Sequence, residues 1–119
     1  MSIFVIGGTG FIGSRLIRLL AKEGKQITCF DINAEFEQFA DIEDLVKTVQ
    51  GDLTQFDNLF SSMADAKPDR VINLSYFLGS HHAPRVATKL NVLGMDNCFE
   101  AARLLGVRRV VYASSLAVY

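Results

Sequence analysis

The sequence predicts an α/β fold: one parallel sheet with helices on both faces. Three observations carry that expectation. Short apolar runs alternate with segments of helical period at regular intervals along the chain. The first run, Ile3 to Ile6, is continuously apolar and stops at Gly7-Gly8, as a strand buried on both faces does. The chain has 119 residues, half of them hydrophobic, which suits one domain with one core.

The elements follow in order. After the first strand, Phe11 to Glu23 has helical period, with Ile12, Leu16, Leu19 and Leu20 on one face and Arg15, Arg18 and Lys22 pointing away. Gly24 is placed to end it, because the left-handed conformation of a helix terminus costs glycine little. Ile27 to Asp31 is a second strand that ends in an acid. Residues 32–46 are irregular, a loop with a helical turn or two in which Phe36, Phe39 and Ile42 form a short apolar face among five acids. Thr48 to Gly51 is a third strand. A helix follows over Phe56 to Ala66, with Thr54 as its expected N-cap, Phe56, Leu59, Phe60 and Met63 inward, and Pro68 beyond its end. Val71 to Leu74 is a fourth strand. A long helix runs from about Pro84 to Leu105, stopped by Gly106, and Arg109 to Ala113 is the last strand. Strands alternating with helices imply right-handed crossovers, and the expected strand order is 3-2-1-4-5.

Composition narrows the function classes. Twelve basic residues against thirteen acidic ones leave a formal charge of −1. That balance argues against a nucleic-acid binder, which needs a clustered basic excess. Nine Phe with abundant Leu, Ile and Val exclude a disordered tail. No apolar stretch approaches the ~20 residues of a membrane helix, and the N-terminus lacks the basic region of a signal peptide. Cys29 and Cys98 have no metal or redox spacing and are expected as buried free thiols, a usage that suits a reducing, cytoplasmic setting.

The chemistry begins at Gly7-Gly8-Thr9-Gly10-Phe11-Ile12-Gly13. The run satisfies G-x-G-x-x-G through Gly8, Gly10 and Gly13, and G-x-x-G-x-x-G through Gly7, Gly10 and Gly13. Either spacing serves a tight strand-to-helix turn whose backbone lies close to a pyrophosphate at a helix N-terminus. The motif follows a strand and opens a helix, which is the confirming context. Asp31 ends the next strand, 18 residues beyond Gly13, where a Rossmann-type fold sets the acid that accepts the adenosine ribose hydroxyls. The competing reading of Asp31 is a plain turn residue before Asn33. From Asp31 to Val46 there is no Lys or Arg, so a 2′-phosphate would meet only like charge. NAD is therefore favoured over NADP.

These residues resemble the nucleotide turn of the extended short-chain dehydrogenase/reductase family, particularly its sugar-nucleotide epimerases and dehydratases. Four later stations agree in order. Gly51-Asp52-Leu53 is similar to the family's segment after the third strand, and the resemblance implies contacts from Asp52 and Leu53 to the adenine. Asn73-Leu74-Ser75-Tyr76 stands where the family has a small-residue stretch beside the cofactor, which implies roles for Leu74 and Ser75. Asn91-Val92-Leu93-Gly94 matches the Asn-Val-x-Gly of the long helix, whose Asn91 would support the active-site geometry. Ser114-Ser115-Leu116-Ala117-Val118-Tyr119 resembles the strand-end motif in which Ser115 orients the substrate oxygen. By the same resemblance Gly7, Gly10, Phe11, Ile12 and Gly13 hold the pyrophosphate.

Two departures stand out. Tyr76 is bulky where the family has Ala, and no tyrosine is followed four residues later by lysine, so the family's catalytic Tyr-x-x-x-Lys pair is absent. Residues 1–119 are thus expected to be a dinucleotide-binding domain, the N-terminal part of a longer enzyme that continues into further strands and a substrate domain. The implied substrate is a nucleotide sugar, with hydride passing between a sugar carbon and nicotinamide. The alternative is a non-catalytic dinucleotide-binding sensor or scaffold. His81-His82 has no ligand partner at metal spacing, and no nucleophile elbow surrounds Ser114 or Ser115. A second apolar stripe on the long helix (Val92, Met95, Phe99) and an unprotected last strand lead to the expectation of a homo-oligomer.

Overall fold

The computed structural model describes residues 1–77 and 83–114. Five parallel strands form one sheet in the order β3-β2-β1-β4-β5: β1 (Ser2–Ile6), β2 (Gln26–Asp31), β3 (Val46–Gln50), β4 (Arg70–Asn73) and β5 (Arg109–Tyr112). Helix α1 (Phe11–Lys22) links the first two strands, α2 (Phe56–Ala66) links β3 to β4, and a 3-10 segment spans Phe36–Ile42. The long helix before β5 is α3 (Pro84–Thr88) and α4 (Gly94–Leu104), joined by a π-helical turn over Lys89–Leu93.

The apolar run of β1 has the burial that its composition demands. Side chains alternate across a strand, so Ile3 and Val5 enter one core while Phe4 and Ile6 enter the other. Phe4 and Ile6 pack with Phe30, Leu59, Met63 and Cys98 under α2 and α4. Ile3 and Val5 pack with Ile17, Ala21, Cys29 and Phe39 under α1 and the 3-10 segment. Each fully buried side chain of this size contributes roughly 1.5–3 kcal/mol. The central strand thus anchors both layers.

Four expectations change. In α1 the buried residues are Gly13, Ile17 and Ala21, whereas Ile12 and Leu19 are exposed. The helix is rotated because Gly13 lies against the backbone of the glycine turn, which fixes the facing side irrespective of the larger apolar residues. The third strand starts at Val46, buried at 4% exposure, two residues before Thr48. Thr54 does not cap α2: the first helical bond runs from Leu59 N to Gln55 O, so the N-cap is Gln55, without a side-chain bond. Thr54 stands one residue outside it, with Oγ1 donating to Asp52 Oδ1 at 2.7 Å. Met95 does not share an outer stripe with Val92 and Phe99. It is half-buried, with its sulfur 3.6 Å from the Asn73 side-chain amide.

Both cysteines are free and buried. Burial pushes the Cys29 thiol up to about 12, and the nearby Asp31 charge adds to it. Burial alone raises Cys98 to about 11. Neither is a thiolate at neutral pH, so neither is a nucleophile there. The stability they contribute is complete below the ordinary 9.0 of the thiol and is lost as pH rises through these values.

Candidate cofactor site

At the carboxyl end of the sheet the chain reverses its winding, with β2 on one side of β1 and β4 on the other. Ligand clefts in open α/β sheets form at this point. A cleft of about 290 Å³ lies there, lined by Gly7, Asp31, Asp52, Leu53, Ser75 and Lys89 among others. Five of those six are residues that the sequence singles out, from four separate strand ends.

The glycine turn resolves the two spacings that the sequence leaves open. Gly7 has φ +82°, and a Cβ there would stand 3.0 Å from Ser75 N, so it is the tight-turn glycine. Gly8 is buried instead, against Cys29 and Ile17. Gly10 is the exposed N-cap of α1, with open space around it except for Gly7 O at 3.5 Å. The first helical bond runs from Ser14 N to Gly10 O at 2.9 Å, so the N–H groups of Phe11, Ile12 and Gly13 precede the intrahelical ladder. The Phe11 and Ile12 side chains are exposed. A backbone nest of this form at a helix start suits an anion.

Asp31 closes the second side. Its Oδ2 accepts from Thr9 N at 3.0 Å and Thr9 Oγ1 at 2.8 Å, and its Oδ1 accepts from Asn33 N at 3.0 Å. Asp31 thus turns the chain before Asn33 and also lines the cleft. Asp52 binds its own loop through Thr54 N and Oγ1, and its N–H donates to Asn58 Oδ1 at 2.7 Å. Gly51 must lack a side chain, because a Cβ would stand 2.5 Å from Asn58 Oδ1 and from the Phe30 ring.

Leu74 and Asn91 do not line the cleft. Leu74 packs into the core under α1, and its N–H donates to Ile6 O at 2.9 Å. Asn91 sits in the π turn and makes a reciprocal pair with Phe77, Oδ1 accepting at 2.8 Å and Nδ2 donating at 3.0 Å. Its amide thus ties the long helix to the segment that carries Ser75. The π turn spaces the long helix irregularly at that residue, a placement common at functional sites. Ser115, His81 and His82 lie outside the described residues.

Sequence reasoning missed two residues here. Lys89, with Val86 and Leu90, forms a wall of the cleft; it lies in the crossover from β4 to β5, far in sequence from the acids of the same cleft. Asn97 is buried at 6% exposure and donates to Leu53 O at 2.9 Å. A buried amide on an otherwise apolar helix face was the available signal. Among the described residues there is no group of three His, Cys, Asp or Glu able to hold a metal, and no helix is long and apolar enough to cross a membrane.

A parallel sheet in this order, a glycine turn after its first strand, an acid ending its second and a cleft over the switch point define a Rossmann-type domain of the dinucleotide-binding class. Residues 3–119 match the NAD dependent epimerase/dehydratase family, and the chain belongs to it. It is 29% identical over 130 residues to Protein CapI of Staphylococcus aureus, a match spanning 100% of this chain and 39% of that protein. It is 33% identical over 122 residues to a UDP-glucose 4-epimerase of Mycolicibacterium smegmatis, covering 97% and 39%. The crystal structure of the Thermus thermophilus UDP-glucose 4-epimerase in complex with NAD superposes with a TM-score of 0.87 at 28% identity, covering 97% of this chain and 38% of that one. The chain therefore spans about two fifths of the length of these relatives.

Proposed function

We propose that the chain is the NAD-binding domain of an epimerase/dehydratase-like oxidoreductase acting on a nucleotide sugar. The observation that carries this reading is the convergence of Gly7, Asp31, Asp52, Leu53 and Ser75 on one cleft beside a glycine-lined helix start. The related UDP-glucose 4-epimerase crystallised with NAD supports both the cofactor and the substrate class. In this reading the N–H groups of Phe11, Ile12 and Gly13 take the pyrophosphate, and Gly7 and Gly10 let it approach the backbone (the Gly10 N–H itself donates to Gly7 O at 3.3 Å). Asp31 takes the adenosine ribose, and Asp52 and Leu53 border the adenine. Asn91 and Leu74 act indirectly, by holding the segment that bears Ser75. Bound NAD would supply hydride transfer at its nicotinamide. The acid/base pair for proton transfer belongs to a Tyr and Lys that these 119 residues do not contain in the family's spacing, and Ser115 would orient the substrate oxygen. A dinucleotide-binding sensor uses the same cleft without those groups.

NAD is favoured over NADP in this reading. Asp31 and Asp52 stand on the cleft wall with one cation, Lys89, among the described residues, and the sequence 32–46 has no Lys or Arg. A dianionic 2′-phosphate beside Asp31 meets Coulomb repulsion in a partly desolvated cleft. Calorimetry with both cofactors is expected to give at least about tenfold tighter binding of NAD. Equal or tighter NADP binding removes the charge argument, and no binding of either removes the cofactor reading.

Self-association is part of the same proposal. Val92, Phe99, Val111 and Tyr112 are exposed, and Phe99 meets Tyr112 edge-on at 5.7 Å. With Met95 half-buried, this smaller patch on the π turn, α4 and β5 is the surface proposed to meet a second copy. Light scattering over a concentration series is expected to show a species above 13.1 kDa, reduced to monomer by Phe99→Glu. A wild-type monomer at every concentration refutes it.

A further inference from the structure

Thr9 stands in the middle of the glycine turn, in a backbone conformation open to any residue, since Lys67 is the one non-glycine residue with positive φ among those described. Its side chain therefore has to be explained by what it touches. Both of its donors, the N–H and the hydroxyl, go to a single atom, Asp31 Oδ2, at 3.0 and 2.8 Å. The Thr9 carbonyl in turn accepts from Gln38 Nε2 at 3.5 Å, and that amide also donates to Glu35 O at 2.8 Å. Arg18 holds the same 3-10 segment to α1 through a two-pronged pair with Asp41 at 2.9 and 3.0 Å.

A carboxylate offers about four acceptor positions. Thr9 takes two on Oδ2 and Asn33 N takes one on Oδ1, so the position left over belongs to Oδ1 of a residue that lines the cleft. We infer that Thr9 is a positioning residue for the ribose acid: its hydroxyl locks Oδ2 of Asp31 against the turn, so that Oδ1 is aimed in advance at the dinucleotide. The inference rests on the cofactor reading above. Its physical basis is preorganisation. A carboxylate that is already oriented loses less freedom when the ligand arrives, and charge-assisted bonds hold it more firmly than neutral ones. The same two bonds, one from the backbone and one from the hydroxyl, couple the pyrophosphate turn to the ribose acid, so one residue sets the distance between two subsites.

The test is a set of calorimetric titrations with NAD on wild type, Thr9→Val, Thr9→Ser, Asp31→Ala and the double variant Thr9→Val/Asp31→Ala. Thr9→Val is expected to weaken NAD binding about tenfold, and Thr9→Ser to return it to within about twofold of wild type. In the Asp31→Ala background Thr9→Val is expected to cost nothing further, because the residue acts through that acid. If Thr9→Val does not fold, Thr9→Ala is read in its place. The inference is overturned by a Thr9→Val affinity equal to wild type, by an undiminished loss in the Asp31→Ala background, or by failure of serine to rescue. Wild type that binds no NAD overturns the cofactor reading and this inference together, whereas wild type that binds while Thr9→Val is unaffected overturns this inference alone.

Discussion

Replacing Gly13 by alanine is expected to cost about 3 kcal/mol of stability, a large part of what a domain of this size has. A Cβ at Gly13 would stand 2.8 Å from Gly8 Cα and closer still to the Gly7 carbonyl oxygen. Both obstacles are backbone, which cannot rotate away as a side chain does. Relief requires α1 to lift from β1, opening the core around Ile17 and Ala21. Urea unfolding checks the result, and Gly10→Ala is the informative control. A Cβ at Gly10 meets only Gly7 O, at 3.5 Å, and its φ of −74° suits any residue. Gly10→Ala should remain within about 1 kcal/mol of wild type while losing dinucleotide affinity, because the methyl occupies the approach to the turn. Equal stability losses at the two positions would contradict this division of roles.

Asp31→Ala is expected to weaken NAD binding about thirtyfold, the scale of losing charge-assisted hydrogen bonds in a partly closed site. Three groups lose their acceptor at once: Thr9 N, Thr9 Oγ1 and Asn33 N. The effect on NADP should be smaller, since the carboxylate that repels a 2′-phosphate is gone. The ratio of the two affinities, measured by calorimetry, therefore closes. If Asp31→Ala binds NAD as wild type does, Asp31 is only the turn residue before Asn33.

The order of elements, the glycine turn and the acid after β2 were legible in the sequence because each is a local signal. The continuous apolar run of β1 implies burial on both faces, and Gly24 and Gly106 end their helices with positive φ, at 77° and 68°. The face of α1 was not legible. Large apolar residues pointed to Ile12 and Leu19, but the close approach of Gly13 to the Gly7 carbonyl decides the rotation. Thr54 has the residue type of a cap, yet the helix begins one residue later than its spacing suggests, with Leu59 N bonded to Gln55 O.

What the sequence by itself determined is thus the class of the protein: a parallel Rossmann-type sheet, a glycine turn that opens its first helix and the strand end that carries Asp31. Those features depend on hydrophobic period and glycine spacing within a few residues of chain. Only the tertiary structure decided which atoms meet. Asn97 reaches the Leu53 carbonyl across 44 residues, Thr9 reaches Asp31 across 22, and Lys89 arrives on the cleft wall from the far crossover. Such pairs depend on strand register and on how closely two backbones approach, and neither quantity is encoded in the spacing of the residues that meet.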